Sequence, residues 1–63
     1  MKPIFKIGDF IQHKDKDKRD SLDLKGEIIQ IGVGNNNTTP FYLLQHNGVF
    51  AVLMENQNEY EKV

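Results

Sequence analysis

The sequence predicts an all-β fold: a five-stranded, strongly bent small barrel forming a single domain over residues 1–63. Three observations carry that expectation. Asn47-Gly48 separates two apolar, β-rich runs, Phe41–His46 and Val49–Met54, and this dipeptide is the one best suited to the positive φ angles of a tight hairpin turn. Two further short runs, Ile7–His13 and Gly26–Ile31, are bounded by turn residues, as strands of a small β domain are. The isoleucine run between Gly26 and Gly32 is too short for a helix.

In chain order, residues 1–6 read as an extended lead-in, where Pro3 is unsuited to a central strand and Phe5 can tuck its ring against the barrel. Ile7–His13 is a strand entered through a Gly8-Asp9 turn or bulge, with Ile11 as its deepest residue. Lys14–Lys25 is a charged connection. Its signs alternate through Lys14-Asp15-Lys16-Asp17-Lys18-Arg19-Asp20, which leaves no burial pattern and predicts a solvated loop. Gly26–Ile31 is the second strand, since its three isoleucines favour β structure. Gly32–Pro40 is a flexible loop rich in turn-tolerant residues.

The hairpin follows. With Asn47 and Gly48 as a two-residue loop, His46 pairs with Val49 and Phe41 with Met54. Alternation then places Phe41, Leu43, Gln45, Phe50, Val52 and Met54 on one face. Tyr42, Leu44, His46, Val49, Ala51 and Leu53 fall on the other. Glu55–Glu59 forms a short helical or 3₁₀ turn, and Tyr60–Val63 is a closing strand with Tyr60 and Val63 facing inward.

Sixty-three residues bury only about 60% of the surface that the unfolded chain exposes, so the core is marginal. The chain has no cysteine, which excludes disulfides and fits a reducing, cytoplasmic setting. The opening residues develop no continuous apolar segment, so neither a signal peptide nor a membrane span is expected. Asn36-Asn37-Thr38 and Asn37-Thr38-Thr39 match the N-glycosylation pattern, but no secretory signal accompanies them. Net charge is −1 from eight basic and nine acidic side chains, without the overall basic excess that phosphate-binding domains usually show.

Ile7-Gly8-Asp9-x-Ile11, then Gly26-x-Ile28, the Asn47-Gly48 hairpin and Glu59-Tyr60-x-x-Val63 together resemble the Src-homology-3-like small barrels. Among these the chain looks most like bacterial and phage modules whose first strand opens Gly-Asp-x-Val and whose second opens Gly-x-Val, as in KOW-type domains. The resemblance covers nearly everything from Ile7 onward. It implies an inner hairpin face of Phe41, Leu43, Phe50, Val52 and Met54, completed by Ile11, Ile28, Tyr60 and Val63. It also suggests a phage or mobile-element origin. Gln45 stands where relatives often carry an aromatic residue. The first loop lacks the paired aromatics that grip proline-rich peptides, and there is no tryptophan, so that ligand class is set aside.

No enzymatic role is expected. Ser21 is the only serine and lies in a charged stretch without an oxyanion motif, while His13 and His46 fall on different strands with no nucleophile at an informative spacing. Asp15-x-Asp17 begins like a calcium loop, but Arg19 and Asp20 break the pattern. Gly32-x-Gly34 lacks the third glycine and the following helix of a dinucleotide site. Neither metal, cofactor nor small-molecule substrate is therefore expected. The preferred function is binding of a protein partner, or self-association, through the second hairpin face: Tyr42, Leu44, His46, Val49, Ala51 and Leu53. The alternative is nucleic-acid binding by Lys14, Lys16, Lys18, Arg19 and Lys25, whose attraction for phosphate the interleaved aspartates oppose.

Overall fold

The computed structural model describes residues 2–33 and 39–63. Five antiparallel strands form one open sheet: β1 (Phe10–His13), β2 (Lys25–Gly32), β3 (Phe41–Gln45), β4 (Val49–Leu53) and β5 (Tyr60–Lys62). Their order is β4-β3-β2-β1-β5. A helix, α1 (Lys16–Leu22), joins β1 to β2, and a 3₁₀ turn over Met54–Glu59 joins β4 to β5. The Gly32–Pro40 stretch expected to be a loop begins instead as the end of β2. Its 34–38 portion, with Gly34 and the asparagines of both Asn-x-Thr triplets, lies outside the described residues.

The hairpin forms where expected, in a different register. Gln45 pairs with Val49, Leu43 with Ala51 and Phe41 with Leu53, so the loop holds three residues, His46, Asn47 and Gly48. Asn47 (φ 54°) and Gly48 (φ 135°) supply the positive angles, and the His46 N–H donates to the Gly48 carbonyl at 2.8 Å. A shift of one residue between paired strands exchanges faces. Tyr42 and Leu44, expected outside, are fully buried, while Phe41 and Leu43, expected inside, are only half-buried. Burial of apolar area explains the choice. The observed register gives β3 and β4 a core face of Tyr42, Leu44, Phe50 and Val52, whereas a two-residue loop would turn polar Gln45 inward.

The core comprises Phe5, Ile11, Ile28, Tyr42, Leu44, Val52, Met54 and Tyr60, with Leu24, Ile31 and Phe50 packed against it. Ile28 and Ile31 both point inward although three positions apart. A bulge at Ile29 inserts one residue between the Ile28–Leu44 and Gln30–Leu43 pairs, which also bends β2. The first strand starts at Phe10 rather than Ile7, because Lys6–Asp9 closes as a turn: Asp9 N–H donates to Lys6 O at 3.0 Å and Lys6 N–H to Asp9 Oδ2 at 2.9 Å. Val63, expected inward, lies beyond β5 and is 75% exposed.

The charged connection, expected as a loop, contains α1, which buries no side chain. Its stability comes from its ends. The Asp15 carboxylate accepts from the N–H groups of Asp17 (3.0 Å) and Lys18 (3.3 Å), satisfying donors that a helix start leaves free. Asp17 in the first turn complements the helix dipole. Asp23, at φ 54°, ends the helix and returns its N–H to the Arg19 carbonyl. The half-turn before the helix is tied to the sheet, because buried His13 accepts from the Asp15 N–H through Nδ1 at 3.0 Å.

Tyr42 buries its hydroxyl among apolar side chains, and that group needs partners. It donates to Gln57 Oε1 and accepts the Ile4 N–H at 2.9 Å. Gln57 Nε2 in turn donates to the Lys2 carbonyl at 3.0 Å. The phenol and the amide thus clamp the lead-in segment and the 3₁₀ turn to the sheet. Tyr42→Phe should cost about 1–2 kcal/mol, lowering Tm by roughly 4–8 °C per kcal/mol, and should speed hydrogen exchange at Ile4. Wild-type Tm and Ile4 exchange in that variant would remove the clamp.

Candidate protein-binding surface

The observed register defines the outer side of the hairpin. The Gln45–Val49, Leu43–Ala51 and Phe41–Leu53 pairs face away from the core, and β2 adds Glu27, Gln30 and Gly32 opposite Gln45, Leu43 and Phe41. Val49 is 54% exposed and Leu53 41%. Ala51 is also exposed, while Phe41 and Leu43 are half-buried. The Phe41 ring lies directly over Gly32, where a Cβ would come within 2.2 Å of the ring. Glycine at that position lets the aromatic side chain lie down on the sheet.

Of the residues expected on the binding face, Val49, Ala51 and Leu53 are on the outer side, and Tyr42 and Leu44 are in the core. His46 is in the loop, half-buried. It meets the Phe10 ring edge-on at 6.1 Å between centroids and brings Nε2 to 3.6 Å from Asp23 Oδ1, so it joins the hairpin tip to the end of α1. Phe41 and Leu43 take the places on the outer side that had been given to Tyr42 and Leu44. Gln45 was the available signal, since a glutamine within an apolar strand marks the outward phase.

The basic set separates differently. Lys14, Lys16, Lys18 and Arg19 lie in or just before α1, and Lys25 opens β2. Arg19 Nε approaches Asp20 Oδ1 at 3.8 Å, and Asp15 occupies the N-cap between Lys14 and Lys16. Acidic groups therefore remain interleaved with the lysines, and their fields oppose one another at distances shorter than the Debye length.

An open groove of about 350 Å³ runs beside β4. Phe50–Leu53 line it together with Lys18 and Leu22 of α1, Asn56 and Glu59 of the 3₁₀ turn, and His13, Leu24 and Tyr60. The His13 and Tyr60 rings pack edge to face at 5.0 Å, and His13 Nε2 lies 3.7 Å from Glu59 Oε2. Among the described residues, no group of three or more His, Cys, Asp or Glu side chains gathers as a metal site. No helix among them is long and apolar enough to cross a membrane.

Burial, and secondarily the Glu59 carboxylate, raises the Tyr60 hydroxyl above its ordinary pKa of 10.0. A raised folded-state value favours the protonated form. Its stabilisation is fully present below the unfolded value and is lost as pH rises through the folded one. Tyr60→Phe should therefore flatten the fall of Tm above about pH 10 and leave Tm near neutrality little changed. An alkaline limb identical to wild type would show that the phenol makes no such contribution. Comparison of the chain with protein-family models, with curated proteins and with solved structures found no match.

Proposed function

We propose that this chain is a non-enzymatic protein-binding module, a Src-homology-3-like small barrel whose partner, another protein or a second copy, covers the outer side of the hairpin. One observation carries the proposal. Tyr42, Leu44 and Val52 serve the core through the inner face, so Phe41, Leu43, Val49, Ala51 and Leu53 form an apolar set that the core does not use. Burying a valine or leucine side chain contributes about 1.5–3 kcal/mol. The exposed members could thus supply much of the affinity of a modest interface, with the charged α1 as an orienting rim. The strand order and the 3₁₀ turn before the last strand support the barrel assignment.

The test is capture of partners from cell extract by wild type and by the double variant Val49→Asp plus Leu53→Asp, with sedimentation of both at increasing concentration. Both sites are exposed, so the variant should fold with a stability change near that of ordinary surface substitutions, about 0.5 kcal/mol each. It should lose partner capture, or self-association, by on the order of tenfold or more. Undiminished capture by the folded variant would overturn the surface assignment. Labelled single and double strands titrated at low and moderate salt test the other ligand class. Binding that weakens steeply with salt, and further with Lys16→Ala plus Lys18→Ala, would replace the protein partner with a nucleic acid.

A further inference from the structure

β4 is an edge strand, with β3 as its only neighbour in the sheet among the described residues. The Met54 N–H donates to the Pro40 carbonyl, and the His46 N–H to that of Gly48. Antiparallel alternation between these bonds assigns the β3-directed groups to Phe50 and Val52. It turns the N–H and C=O of Val49, Ala51 and Leu53 away from the sheet. Edge strands are commonly guarded by charge, proline or a bulge. Val-Phe-Ala-Val-Leu carries no charge and no proline, and its pairing with β3 runs without a register break.

Phe50–Leu53 of this strand also line the groove of about 350 Å³, together with residues of α1 and the 3₁₀ turn. A strand added along this edge would lie about 4.8 Å from β4. A second copy adding its own β4 would bring Val-Phe-Ala-Val-Leu, which has no carboxylate to offer the groove. The charges bordering the groove are unequal in availability. Glu59 faces His13 Nε2 at 3.7 Å, whereas among the described residues no carboxylate lies within ion-pair distance of Lys18. On the footing of the protein-binding role above, we infer that the partner supplies an extended peptide segment that adds to β4 as a sixth strand. Its apolar side chains meet Phe50, Val52 and Leu24, and an acidic residue meets Lys18. Main-chain bonds provide affinity and the alternate side chains provide selectivity.

The probe is a random heptapeptide library selected on the immobilised 63-residue chain. Enriched peptides are then titrated, fluorescently labelled, against wild type, Ala51→Pro and Lys18→Glu. Enrichment of apolar sequences containing Asp or Glu is expected, with binding weakened about tenfold or more by Ala51→Pro, which deletes an outward N–H. Lys18→Glu should weaken acidic peptides to a similar extent. Should Ala51→Pro fail to fold, the peptides carry the test. Methylating one alternate set of backbone amides should abolish binding, and methylating the other should spare it, because only one edge of the peptide faces β4. Equal tolerance of both sets, or unchanged binding to folded Ala51→Pro, overturns strand addition while leaving a protein-binding role standing. No enrichment over the uncoated control overturns the groove. Strand-paired peptides together with undiminished partner capture by Val49→Asp plus Leu53→Asp would instead displace the outer surface and keep the groove.

Discussion

Pairing of Gln45 with Val49 is the constraint on which the remaining structure depends. It decides which side chains of a two-sided apolar ribbon enter the core. The inward set, Tyr42, Leu44, Phe50 and Val52, matches what Ile11 and Ile28 present from the neighbouring strands. Tyr42 is the consequential member. Its phenol reaches through the core to Gln57 and to the main chain of Ile4, so a choice made at the hairpin tip reaches the lead-in segment and the 3₁₀ turn. In a chain of this size, one residue of slip would expose two fully buried side chains and strand a glutamine inside, a loss comparable with the total stability of a small domain.

The polar contacts follow a common logic. Each buried polar side chain ties a neighbouring segment to the sheet. Gln57 and Tyr42 hold the lead-in, and His13 holds the start of α1 through the Asp15 N–H. No buried side-chain nitrogen or oxygen is left without a partner among the described residues. Such bonds contribute little net stability individually, but leaving one unmade is costly. They therefore specify where these segments dock more than they drive folding. The helix shows the same economy, being held by its caps and by the His13 contact, with none of its side chains buried.

Much of this was legible in the sequence, for identifiable reasons. The isoleucines of β2, the Asn-Gly turn and the polar run before Tyr60 are local signals, and the elements they mark lie close to where they were expected. Ile11, Ile28, Met54 and Tyr60 are buried as expected, and Phe5 tucks beneath Tyr42. Loop length was not legible, because Asn-Gly supplies positive φ in two- and three-residue loops alike. The phase of β3 had to be decided by burial, and Gln45 was the residue that revealed it. The helix was hidden because pattern reading seeks an apolar stripe, while α1 is stabilised by capping. The bulge at Ile29 left no mark beyond three isoleucines that could not all face one way.

The two free edges of the sheet differ in kind. β5 is three residues long and reads Tyr60-Glu61-Lys62, so charged side chains at two of its three positions guard it against pairing with another chain. β4 is five residues long, uncharged, and bordered by a groove instead of being covered. A protein under pressure only to stay monomeric could guard both edges by the same means, and the substitutions required are small: a lysine at Val49 or Ala51 would serve. Leaving β4 bare exposes the chain to strand pairing, and the groove beside it is lined in part by Lys18 and Leu22 of α1 and by Asn56 and Glu59 of the 3₁₀ turn. On the reading proposed above, the uncharged edge is where a partner strand adds, and Lys18 of α1, which also lines the groove, supplies a charge that such a strand could meet.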